Sequence, residues 1–119
     1  MGNFKNMEVW IESKDLAVMI YKMSKTGLIS KDFGLRDQMR RASISITSNI
    51  AEGFERETTK EFIRFLYIAK ASAGEFRSQL YLAFDLSYIS NEEFKNITIQ
   101  INEISKLLSG FIKYLKSTL

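Results

Sequence analysis

Apolar residues recur along this chain at intervals of three and four in four separate runs, and that spacing predicts four amphipathic helices. The first run is Val9, Trp10, Ser13, Leu16, Ala17, Ile20 and Met23, one face of a helix over about residues 7–25. Gly27 suits the residue just past its end, and Leu28 would then fold back on Met23 in a Schellman ending. The second helix spans about 31–55, with Ser30 or Asp32 at its start and Leu35, Met39, Ala42, Ile46 and Ile50 as its stripe. Its β-branched run, Ile44 to Thr47, continues the helical spacing and does not alternate as a strand would. The third helix covers about 58–87. Thr58 and Glu61 form a capping-box pair at its start, and Phe62, Leu66, Ala69, Ala73, Phe76, Leu80 and Phe84 form its core face. The fourth covers about 91–116. It is opened by Ser90 with Glu93, and Ile89 and Phe94 hold the two positions of a hydrophobic staple. Its stripe is Ile97, Ile101, Ile104, Leu108, Phe111 and Leu115.

The connections are two to about five residues long, so consecutive helices must lie antiparallel. The expected fold is all-α, an antiparallel up-down-up-down four-helix bundle forming one domain over residues 1–119.

A core stripe does not exhaust the apolar surface. On the third helix Ile63, Tyr67, Gly74 and Tyr81 lie off the core face, and Ile68, Leu82 and Leu86 occupy a third side. On the second, Ile44 and Ala51 point away from the stripe. Ile99, Leu107 and Tyr114 do so on the fourth. A helix apolar nearly all round is expected to be covered. Ile44, Ala51, Ile63, Tyr67, Gly74 and Tyr81 are therefore candidates for a subunit interface.

Polar residues intrude beside the stripes. Ser45, Asn49 and Glu52 on the second helix, and Ser72, Glu75 and Gln79 on the third, are expected to form a hydrogen-bonded network fixing the register of the two helices. Lys and Arg number 17 against 14 Asp and Glu, a net charge of +3. Such a mild excess permits a polyanionic partner without demanding one. Arg36, Arg40 and Arg41 on the second helix and Lys60, Arg64 and Arg77 on the third are the candidate phosphate-contacting residues. Asp32, Asp37, Glu52, Glu55, Glu57 and Glu61 are interleaved with them, which also fits a salt-bridged solvated face.

Several chemistries are missing. The chain has no Cys, His or Pro. Disulfides, thiolate zinc and thiol nucleophiles are excluded. A Glu-x-x-His di-iron bundle and imidazole-assisted hydrolysis are excluded too. There is no Gly-rich phosphate loop. No catalytic residue, cofactor, metal or small-molecule substrate is expected. No apolar run reaches the roughly 18 residues of a membrane span, and Glu8, Glu12 and Asp15 leave no apolar leader segment near the start. A cytoplasmic location is expected.

The distribution of motifs resembles the 23S rRNA intervening-sequence proteins. The matching pieces are Val9-Trp10, Leu16 and Ile20-Tyr21, then Phe33-Gly34-Leu35, Gln38, Arg40-Arg41-Ala42, Ser45-Ile46 and Asn49-Ile50-Ala51-Glu52-Gly53. Lys60-Glu61-Phe62, Phe65-Leu66, Ala69, Ser72, Glu75, Gln79-Leu80, Leu86 and Tyr88-Ile89 follow. Gly27-Leu28-Ile29 replaces a Phe-Pro common in that family, and Glu55 stands where a glycine is frequent. The resemblance implies a four-helix bundle that forms a ring-like homo-oligomer, typically a pentamer, with no established enzymatic activity. It implies RNA or a nucleoprotein as the candidate partner. A protein-interaction scaffold without nucleic-acid affinity is the alternative, and a carboxylate nuclease using Glu52 and Glu75 is a remote third.

Overall fold

The computed structural model describes residues 4–119. It contains four helices, α1 (Glu8–Met23), α2 (Phe33–Phe54), α3 (Thr59–Asp85) and α4 (Asn91–Ser117), with short 3₁₀ turns at Phe4–Asn6 and Leu28–Lys31. They form an all-α four-helix bundle measuring 46 × 21 × 19 Å. The side-chain pairings give its direction. Phe62, early in α3, meets Phe111, late in α4, while Phe84 stacks on Phe94 at the opposite ends of the same helices. Arg40 of α2 reaches back to the end of α1. Neighbours therefore run antiparallel.

The core contains Leu16 and Ile20 of α1, Met39, Ile46 and Ile50 of α2, Leu66, Phe76 and Leu80 of α3, and Ile97, Ile101, Ile104 and Leu108 of α4. These belong to the expected stripes, but Trp10, Met23, Leu35, Phe62 and Phe84 are only partly buried, and at the end of α4 Ile112 is buried while Phe111 and Leu115 are partly covered. Ala69 and Ala73 are fully buried. α3 packs tightly against α2 at Gly53. A Cβ there would lie 2.8 Å from Phe65 Cβ and 3.0 Å from a Phe62 ring carbon.

The helix ends are set by side chains. Asp32 caps α2 by accepting from the Leu35 N–H. Ser90 and Glu93 form the complete reciprocal box at α4. At α3 only half of the box forms. Thr58 Oγ1 accepts from the Glu61 N–H, but the Glu61 carboxylate turns to Arg64, where two charge-assisted bonds outcompete one backbone N–H.

The ending of α1 differs from expectation. The helix stops at Met23, and the Ser24 hydroxyl donates to the Ile20 carbonyl. Gly27 has φ 73°, but it opens the following 3₁₀ turn, and Leu28 is exposed. The Schellman ending occurs instead after α3. Ser87 takes φ 60°, its N–H bonds to Phe84 O, and the Tyr88 N–H bonds to Ala83 O.

Candidate nucleic-acid interface

The six candidate cations do not form one open surface. Arg40 acts as a bolt between α1 and α2. Its Nε donates to Ser24 Oγ at 2.7 Å, an Nη2 donates to the Tyr21 carbonyl at 3.3 Å, and its guanidinium lies 4.7 Å from the Tyr21 ring centroid. It places positive charge at the C-terminal carbonyls of α1, the negative end of that helix. Arg36 bonds to Asp37 and the Ser30 carbonyl and covers the Phe33 ring. Arg64 makes a two-pronged pair with Glu61, and Arg77 donates to Asn102 Oδ1. Arg41 and Lys60 are exposed and make no hydrogen bond or ion pair among the described residues.

The turn from α2 to α3 is acidic as well as basic. Glu55, Glu57 and Glu61 line a hollow there with Arg56 and Thr58. The hydrogen bond from Arg64 holds Glu61 below the usual carboxylate range and raises Arg64 in turn. Among the described residues no group of three or more acidic side chains converges in a geometry able to hold a metal ion. Among the described residues no helix is long and apolar enough to cross a membrane.

Of the six polar candidates, three are joined. Asn49 Nδ2 donates to the Ser45 carbonyl at 2.8 Å and to its hydroxyl at 3.1 Å, and Ser45 Oγ bonds across the helix interface to Ser72 Oγ at 2.9 Å. The other three stand apart. Glu52 pairs with Arg56 one turn on, Glu75 is exposed, and the buried Gln79 Oε1 has no hydrogen-bond partner among the described residues.

The six apolar interface candidates are also dispersed. Ile63 is only 7% exposed and belongs to the core of its own bundle, so it has no surface to offer a second chain. The off-face side of α3 turns toward α4. Tyr67 accepts a hydrogen bond from Lys116, Tyr81 lies against Phe94, and a Cβ on Gly74 would meet open space. Ile44 is on the other flank, where it borders a hollow with Ala17, Val18 and Tyr21, and Ala51 is half-buried. The large exposed apolar residues of α3 are Tyr67, Ile68, Tyr81 and Leu82, joined by Leu86 at its C-cap. Ile68, Leu82 and Leu86 share one side of the helix by their spacing.

Tyr88 ties the α3–α4 turn to the start of α2. Its hydroxyl donates to Asp32 Oδ2 at 3.0 Å, while Oδ1 of the same carboxylate caps α2. That bond, reinforced by burial and the Asp32 charge, raises the Tyr88 phenol above its ordinary value. Sequence reasoning missed this bridge and the Arg40 junction, because both join residues far apart in the chain and neither has a local spacing signal.

The comparisons agree with this architecture. Residues 5–110 match the family model described as 23S rRNA-intervening sequence protein. Solved structures match as well. One is the crystal structure of a protein of unknown function from the S23 ribosomal protein family of Bacteroides thetaiotaomicron. It is 32% identical, with a TM-score of 0.82, over 88% of this chain and 95% of that one. Among curated proteins no significant match is found.

Proposed function

Because this chain belongs to the 23S rRNA-intervening sequence protein family, we propose that it is a non-catalytic bundle that docks with copies of itself and holds RNA on the assembled surface. The observation that carries the reading is apolar exposure on two separate flanks. Val18, Tyr21 and Ile44 are 45%, 36% and 39% exposed around a shallow hollow between α1 and α2. Ile68 and Leu82 of α3 and Leu86 at its C-cap are 38%, 53% and 50% exposed. Large exposed apolar side chains grouped on one flank suit a docking surface. Two unlike patches suit a head-to-tail contact, which closes into a ring when the rotation between copies permits.

Electrostatics supports RNA as the ligand. Arg41 and Lys60 pair with no carboxylate among the described residues, and cations of that kind neutralise backbone phosphates with little geometric demand. Titration with structured ribosomal RNA at low salt tests this. Binding that weakens steeply as salt is added fits the proposal. A flat response at low salt would leave a protein-interaction scaffold, a reading favoured by the pairing of Arg36 with Asp37 and of Arg64 with Glu61.

A further inference from the structure

A second basic surface lies between α3 and α4, and none of its three lysines is among the six candidate cations. After Glu103 the chain carries Lys106, Lys113 and Lys116 and no acidic residue. The end of α4 packs antiparallel against the first half of α3, and the two helices border a groove of about 250 Å³ lined by Tyr67, Lys70, Ser109, Ile112, Lys113 and Lys116. No carboxylate lines it. Lys70, Lys113 and Lys116 form no ion pair among the described residues.

Three ammonium groups border one hollow whose lining includes no carboxylate, a local concentration of positive charge that suits an anionic ligand. Lys116, in the last turn of α4, is partly accounted for by the negative end of that helix. Lys70 is not, since it sits mid-helix in α3. The hydroxyls point to the same chemistry. Lys116 Nζ donates to Tyr67 Oη at 2.5 Å and lies 5.0 Å from the ring centroid, so the phenol accepts from the ammonium and keeps its own O–H to donate. Ser109 makes no side-chain hydrogen bond among the described residues. Gly74, one turn past Lys70, leaves open space beside its backbone. Lys60, seven residues before Tyr67, falls on the same side of α3 and extends the track.

We infer that the α3–α4 groove is a phosphate-binding site for the RNA backbone, with Lys70, Lys113 and Lys116 supplying charge and Tyr67 and Ser109 supplying neutral donors. The inference rests on the proposal that this protein binds RNA, and it centres the contact on the α3–α4 side. Fluorescence anisotropy with a labelled RNA, repeated over a salt series, tests it on the full chain. Replacing Lys70 and Lys113 by Gln should lower affinity at least tenfold. It should also reduce the slope of log K against log salt by about 1.4–1.8 per chain, from roughly 0.7–0.9 per lost contact.

Gly74→Glu, compared with Gly74→Gln, provides a second arm that removes no lysine. The added carboxylate should weaken binding and the amide should not. Thermal melting confirms that each variant is folded. Failure of the unaltered protein to bind RNA at low salt overturns both readings together. Binding that persists in the double Gln variant and in Gly74→Glu, with an unchanged salt slope, overturns the groove assignment alone and leaves the RNA reading intact.

Discussion

The Arg40 guanidinium donates to the Ser24 hydroxyl at 2.7 Å, while that hydroxyl donates to the Ile20 carbonyl at 2.6 Å, so one arginine of α2 closes the C-terminus of α1. Arg40→Ala should cost about 1–3 kcal/mol, the range for a hydrogen bond from a charged group whose partner is left buried. Arg40→Lys should recover little, because a single ammonium cannot reach the hydroxyl, the Tyr21 carbonyl and the Tyr21 ring face together. Urea denaturation of the three proteins measures this. Loss of RNA binding on reversing this charge would report a loosened bundle as much as a lost phosphate contact.

Two glycines should respond to alanine with opposite signs. At Gly53 the new Cβ would crowd Phe65 Cβ at 2.8 Å, and a Cβ has little freedom to move aside. Overpacking of this kind costs about 1–3 kcal/mol and outweighs the gain of up to about 1 kcal/mol from removing a helical glycine. At Gly74 nothing lies within 4 Å of the added carbon. Gly74→Ala should therefore stabilise by about 0.5–1 kcal/mol. Melting temperatures of the two variants should fall on either side of the unaltered protein.

Ser87 occupies the left-handed position that a Schellman ending usually gives to glycine. A left-handed conformation costs a residue with a Cβ roughly 1–2 kcal/mol. Ser87→Gly should raise stability by a fraction of that amount, because the unfolded chain also gains freedom. Chemical denaturation detects it as a higher midpoint with an unchanged slope.

The Tyr88–Asp32 bridge should weaken at alkaline pH. Its hydrogen bond favours the protonated phenol, so the folded pKa is raised. The stabilisation is complete below the unfolded value near 10 and is lost as pH rises through the higher folded value. The gap in denaturation midpoint between the unaltered protein and Tyr88→Phe should be steady from pH 7 to 9 and should close above pH 10. A gap that widened with pH would reverse the sign of the linkage.

The fold was readable because the stripes are local. Leu16, Ile46, Phe76 and Ile104 are all placed by three-and-four spacing, and Ser90 with Glu93 marks a helix start from adjacent residues alone. The candidate surface was less readable because it depends on which helix covers which. Ile63 looks like a second-face residue on a wheel, but α3 turns that side toward its own neighbour. The interleaved acids already allowed a salt-bridged face, but only the structure shows that Asp37 takes Arg36 and Glu61 takes Arg64. Ser87 carries no sequence signal for a left-handed turn, whereas Gly27 carries a strong one and serves a different turn. The α3–α4 lysines are distant in sequence, and only antiparallel packing brings Lys70 to Lys113.

Self-association is the claim on which the functional reading depends, and multi-angle light scattering of the eluted protein at micromolar concentration measures it most directly. The account predicts a single species at an integral multiple of 13.8 kDa, reduced to the single-chain mass by Ile68→Glu with Leu82→Glu while helicity is kept. A mass of 13.8 kDa for the unaltered chain at those concentrations would contradict it.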